Sequence, residues 1–178
     1  MTVPAELRLQ VRRRASFACE FCGVTEIDTG GELTVDHFQP QARGGADHLD
    51  NLVYCCVRCN QYKADYWPTT PNDLALWNPR QEPVETHFLT LADGTLFPTT
   101  ATGTFTLKRL RLNRSPLVVF RLRKYHQAEE QRLLTRYRAV VELLEQLYQQ
   151  QAALLEEQRA LFEEQRAILN FFLLRRTE

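Results

Sequence analysis

Residues 35–63 read VDHFQPQARGGADHLDNLVYCCVRCNQYK and crowd carboxylates, imidazoles, amides and thiols into one short stretch of a chain that has four histidines in all. Upstream, Cys19-x2-Cys22 matches Cys56-x2-Cys59 in spacing. Two C-x2-C turns bring four thiolates within reach of one ion, which predicts a closed tetrahedral zinc site. Cys55, the fifth cysteine, can also reach through Cys55-x3-Cys59, and the matching spacing favours Cys56. A closed site offers no open position to a substrate, so any chemistry falls to the residues between the pairs. Asp36 and the side-chain carbonyl of Asn60 are oxygen donors suited to a hard divalent cation such as Mg²⁺ or Mn²⁺. His37 is placed beside them to take a proton from water.

The remaining sequence bounds the class. At 178 residues with 44% hydrophobic residues, the chain can build a core plus an appendage. No apolar run approaches the roughly 18 residues of a membrane span, and MTVPAELRLQVRRRA lacks a secretory core, so a cytoplasmic protein without membrane partners is expected. The formal net charge of zero hides a separation of charge. From Gly94 to Ala128 there is no Asp or Glu, while Lys108, Arg109, Arg111, Arg114, Arg121, Arg123 and Lys124 are present. That pattern predicts contacts to a phosphate backbone, and Arg8, Arg12, Arg13 and Arg14 form a second cluster. Lys63 is read either as a further phosphate contact or as a solvated helix residue.

Periodicity divides the chain at Pro116. Leu7, Val11, Ala15 and Ala18 predict a short helix leading into the first cysteine pair, and a turn at Thr29-Gly30-Gly31 leads to a strand ending near Asp36. Gln39 to Asn51 reads as a loop, and the helical character of 53 to 66 suggests a helix beginning around the second cysteine pair and stopped by Pro68 and Pro71. Between Trp67 and Ser115, pieces such as HFLTL and TFTLKRLRL read as short strands. Beyond Pro116 there is neither Gly nor Pro, and leucines recur at helical spacing. QAALLEE, QRALFEE and QRAILNF follow one another from Gln151, with a glutamine column between two apolar columns. Residues 1–115 are thus expected to form one domain, and 116–178 a coiled-coil-like helix that pairs with its own copy or docks a protein partner.

The order Cys-x2-Cys, Asp-His, Gly-Gly, His-Leu-Asp-Asn-Leu, Cys-x2-Cys-Asn, Lys resembles the HNH family of nucleases over residues 19–63. The resemblance implies an α+β fold: a ββα-metal zinc finger, short strands after it, and the long C-terminal helix. It implies a metal-dependent endonuclease acting on DNA, with His37 as general base, Asp36 and Asn60 holding the catalytic metal, and Asn51 pinning the loop that orients His37. Relatives often carry His where this chain has Asn60, and Asn is an accepted variant there. Two other classes fit the same residues: a zinc-stabilised DNA-binding module without catalysis, or an adaptor whose helix docks a partner such as the ATPase of a bacterial defence system. Because consecutive strand residues face opposite ways, Asp36 and His37 cannot both face a metal on a continuous strand, so the strand is expected to end or bend there, as Pro40 allows.

Overall fold

The computed structural model describes residues 3–70 and 72–174, with side chains through Asn170. The chain divides into two compact units, Met1–Tyr125 and His126–Glu178. In the first unit, α1 (Ala5–Arg14) leads to the first cysteine pair and ends with Arg12, Arg13 and Arg14 in its last turn, where positive charge suits the helix dipole. The one-turn helix α2 (Glu26–Thr29) is closed by a capping box between Thr25 and Asp28. Strands β1 (Thr34–His37) and β2 (Leu52–Cys55) pair antiparallel, with Asp36 opposite Val53 and His37 opposite Leu52. Helix α3 (Val57–Lys63) follows directly, its N-terminus capped by the Cys56 sulfur accepting from Cys59 N–H.

The helix begins at the second cysteine pair as expected, but the helical character read over 53–55 and 64–66 is corrected by the structure. Leu52–Cys55 is a strand buried on both faces, so its uniformly apolar side chains carry no alternation by which to recognise it. Helix begins only at Val57 and ends at Lys63; Pro71 lies outside the described residues. After the finger, β3 (Phe88–Thr90), the short strand expected in HFLTL, pairs antiparallel with β4 (Leu96–Pro98). TFTLKRLRL is corrected as well: it lies largely in the helix α4 (Ala101–Arg109), which opens with Thr100 Oγ1 accepting from Gly103 N–H. Gly103, Thr106 and Leu110 are buried at spacings of three and four, the helical period that the alternating apolar residues mask. Gly103 must be glycine-sized, because a Cβ there would lie 2.5 Å from the His87 carbonyl oxygen.

One core serves both the finger and the segments C-terminal to it. Trp77 is buried edge-on between Phe21 of the first cysteine turn, at 6.4 Å between ring centroids, and Phe88 of β3, at 5.7 Å. Glu20, with its side chain largely buried, accepts from Tyr54 N–H on β2 and from the guanidinium groups of Arg14 and Arg80. The helix α5 (Ser115–Leu174) begins within this unit: Leu117 is buried, and Arg121 donates to the carbonyls of Gly94 and Leu112.

The second unit is the remainder of that helix. Residues 175–178, over which helix is also expected, lie outside the described residues. Among the described residues no helix is long and apolar enough to cross a membrane.

Thr106 offers a test of the shared core. It is fully buried, and its hydroxyl accepts the Trp77 backbone N–H at 2.8 Å. Thr106→Val keeps the shape but leaves that donor unpaired, so chemical denaturation should show a loss of about 1–3 kcal/mol.

Candidate metal centre and catalytic face

The four sulfurs of Cys19, Cys22, Cys56 and Cys59 lie within 4.8 Å of one another, and those of Cys22 and Cys56 are 3.8 Å apart. A tetrahedron with metal–sulfur distances of about 2.3 Å has an edge of about 3.8 Å, so the quartet fits an ion such as zinc. Sulfur–sulfur hydrogen bonding from Cys22 pulls the Cys19 thiol down, and that from Cys19 pulls the Cys56 thiol down. The same bonds, those with Cys19 foremost, push Cys22 and Cys59 up. Without a cation the cluster cannot lose all four protons; a divalent ion removes that conflict. Arg114 adds positive charge from outside, with Nη2 at 3.6 Å from the Cys59 sulfur and 3.8 Å from that of Cys56. Burial, the largest single influence, opposes its ionisation, but the bond to Cys59 together with the charge of Cys59, Cys22 and Cys56 outweighs it and shifts the guanidinium up. Cys55 stays outside the quartet: it is fully buried, its thiol is pushed up chiefly by burial, and it sits 3.7 Å from Thr34 Oγ1.

In sequence the two cysteine pairs bracket the β1–β2 hairpin, whose first strand carries Asp36 and His37. The expected end or bend at Asp36-His37 is corrected: strand β1 runs through Asp36 to His37, both paired with β2, so the pleat sends the two side chains to opposite faces. Asp36 faces α3, where Lys63 Nζ lies 2.8 Å from its Oδ2. Asn60 shares that face through Nδ2, 3.5 Å from Thr34 Oγ1. Among the described residues, neither Asp36 Oδ1 nor the Asn60 side-chain oxygen has a hydrogen-bond partner, so both can turn to a hard cation. His37 faces the loop instead, with Nε2 at 2.6 Å from Asp47 Oδ1. That hydrogen bond holds the Asp47 carboxyl below its ordinary range. The ionised partner makes Nε2 the protonated nitrogen and leaves Nδ1 as the acceptor.

The loop is clamped by Asn51. Its Oδ1 accepts from Gln39 N–H at 2.8 Å, while Nδ2 donates to the carbonyls of Gln39 and Ala46. At Gly45 an added Cβ would sit 1.8 Å from the Gln39 carbonyl oxygen, so only glycine permits this closure. Asp47 is missing from the residues that the sequence singles out, because a lone Asp in a polar loop carries no periodicity. Its only signal is its place between the Gly-Gly pair and Asn51.

The basic residues are mostly internal ties. Lys63 is corrected from surface contact to buried counter-ion: it is 0% exposed and also bonds the carbonyls of His37 and Ala64. Arg109 bonds the Lys63 carbonyl and lies over the Tyr66 ring, Arg114 is at the sulfurs, and Arg121 is tied to Gly94, Leu112 and Asn113. Arg123 pairs with Asp28 at 2.6 Å while remaining half exposed. Lys108, Arg111 and Lys124 are exposed, Arg111 lying over Tyr62 and Lys124 over Phe120. In the N-terminal cluster, Arg12 pairs with Glu26 and Glu32, and Arg14 bonds the carbonyls of Leu49 and Leu52.

Elemental analysis of the purified chain should find one zinc per molecule. Cys56→Ser should lose it, and Cys55→Ser should retain it.

Among curated proteins none matches the chain. Residues 19–65, from the first cysteine pair to just past α3, match the family model of the HNH endonuclease.

Proposed function

We propose that residues 19–65 form a metal-dependent endonuclease centre that hydrolyses phosphodiester bonds of DNA, with His37 as general base. The observation that carries this reading is the division of labour across β1: an imidazole oriented by a carboxylate on one face, and on the other Asp36 Oδ1 and the Asn60 side-chain oxygen, which, among the described residues, the Lys63–Asp36 Oδ2 pair leaves free. In-line displacement at phosphorus places the entering water and the leaving oxygen on opposite sides. The separation of Asp36 from His37, which a single shared face would not permit, suits that reaction. His37 Nδ1 takes a proton from the attacking water, and Asp47 stabilises the imidazolium that results. Asp36 and Asn60 are the residues that would hold Mg²⁺ or Mn²⁺, and such an ion supplies charge stabilisation to the leaving 3′ oxygen. Asn51 keeps Asp47 within reach of His37 by closing the loop. The exposed cations Lys108, Arg111 and Lys124 remain as contacts to phosphate, together with Arg8 and Arg13 on α1.

One such centre cuts one strand at a time, so a duplex break calls for a second copy or a partner protein, and the long helix is the part suited to recruit either.

Plasmid nicking with Mg²⁺ or Mn²⁺, beside an RNA substrate of the same sequence, tests the reading. Wild type should nick DNA, and His37→Ala should lose about 10²–10⁴-fold with zinc content unchanged. Asp47→Asn should cost at least about tenfold by freeing the tautomer. Equal cutting by wild type and His37→Ala contradicts the assignment. DNA binding without cleavage favours the binding module, and cleavage only with an added partner favours the adaptor.

A further inference from the structure

In the second unit one heptad frame runs unbroken from Leu133 to Leu169. One column contains Leu133, Val140, Leu147, Leu154, Leu161 and Ile168. A second, beyond the central column, contains Leu134, Val141, Tyr148, Leu155, Phe162 and Leu169. Between them lie Tyr137, Leu144, Gln151, Gln158 and Gln165. Large apolar side chains of this stripe are 47–70% exposed apart from Val141, an apolar face too long to leave in water. A strict seven-residue repeat suits a left-handed supercoil with another helix of the same period.

The rims of the stripe identify the other helix. Beside the first column stand Glu157 and Glu164; beside the second stand Arg159 and Arg166. None of the four forms an ion pair within the described structure. In a parallel pair related by a two-fold axis, each rim meets the opposite rim of its partner, setting Glu157 against Arg159 and Glu164 against Arg166 on both sides. Arg136 then faces Arg138, one repulsive contact against two attractive ones. An antiparallel pair sets each rim against itself and brings the amides of the glutamine column opposite Tyr137 and Leu144. In parallel register each glutamine meets its own copy and its hydrogen-bonding groups are matched.

We infer that residues 133–169 pair with the same segment of a second copy of this chain, parallel and in register. This deepens the recruitment role proposed for the helix, and its readouts do not depend on cleavage. Both copies of residues 1–125 then join the pair at the same end, as cutting of both strands at one locus requires.

Light scattering of the full chain should give twice 20.8 kDa. Glu157→Arg with Glu164→Arg, or Arg159→Glu with Arg166→Glu, should each raise the dimer dissociation constant by roughly tenfold or more, and mixing the two variants should restore pairing. Orientation is read by pulsed electron spin resonance on a ketone-linked spin label carried at Asn170→p-acetylphenylalanine, which leaves the cysteines untouched. Parallel pairing predicts a separation of about 20–30 Å, set by two helix diameters and the label, whereas antiparallel pairing predicts roughly 60 Å along the axis. A monomer, or a dimer with the long distance, overturns the inference. Retained zinc and a retained helical signal in the charge variants separate lost pairing from lost folding.

Discussion

Four sulfurs within 4.8 Å of one another are the constraint on which the rest of the first unit depends. The elements they join are small: two four-residue strands and one seven-residue helix. An isolated hairpin of that size is marginal in water, and a helix of two turns is more so. Structural zinc in small domains contributes about 10–16 kcal/mol of apparent binding free energy at neutral pH. Burial of a few residues such as Leu52 and Val53 yields about 1.5–3 kcal/mol each and must offset the entropy of ordering the loop between the cysteine pairs. A metal ion held by the quartet would therefore be the largest single contribution to closing the finger. Arg114 extends it outward, since the residue that caps the charge of the sulfurs stands immediately before α5.

The arginines show how the same charge can serve structure or binding. A guanidinium reaches several carbonyls at once, and Arg14, Arg109 and Arg121 are used in this way to fasten segments that lack regular structure. Burial pushes Arg121 down from its ordinary range, the cost of using a cation as a strut. Lys63 is the extreme case. Its ammonium is fully buried, tolerated because Asp36 and two carbonyls surround it, and it fixes the end of α3 to the end of β1. Charge available to a phosphate backbone is consequently smaller than the residue count implies.

These contacts explain which parts of the molecule are legible in sequence. Cysteine spacing discloses the quartet because ligand geometry dictates it, and the absence of Gly and Pro after Pro116 discloses α5. Two elements mislead for opposite reasons: β2 is buried on both faces and shows no alternation, whereas α4 shows alternation by accident while burying Gly103, Thr106 and Leu110. Asp36, His37, Asn51 and Asn60 stand out as residue types, but their contacts do not. Asp47 on His37 and Lys63 on Asp36 are pairings made by the fold, and neither leaves a mark on the local sequence. The roles of the arginines are likewise invisible, since strut and phosphate contact have the same letter.

The dependence of the β1–β2 hairpin and α3 on the quartet is tested most directly by amide hydrogen exchange on the intact protein, before and after zinc is removed with a strong chelator. Protection of Leu52–Cys55 and of Val57–Lys63 should collapse on removal and return when zinc is restored. If both segments remain protected without metal, apolar packing alone holds the finger, and the sulfur quartet is not the constraint that closes it.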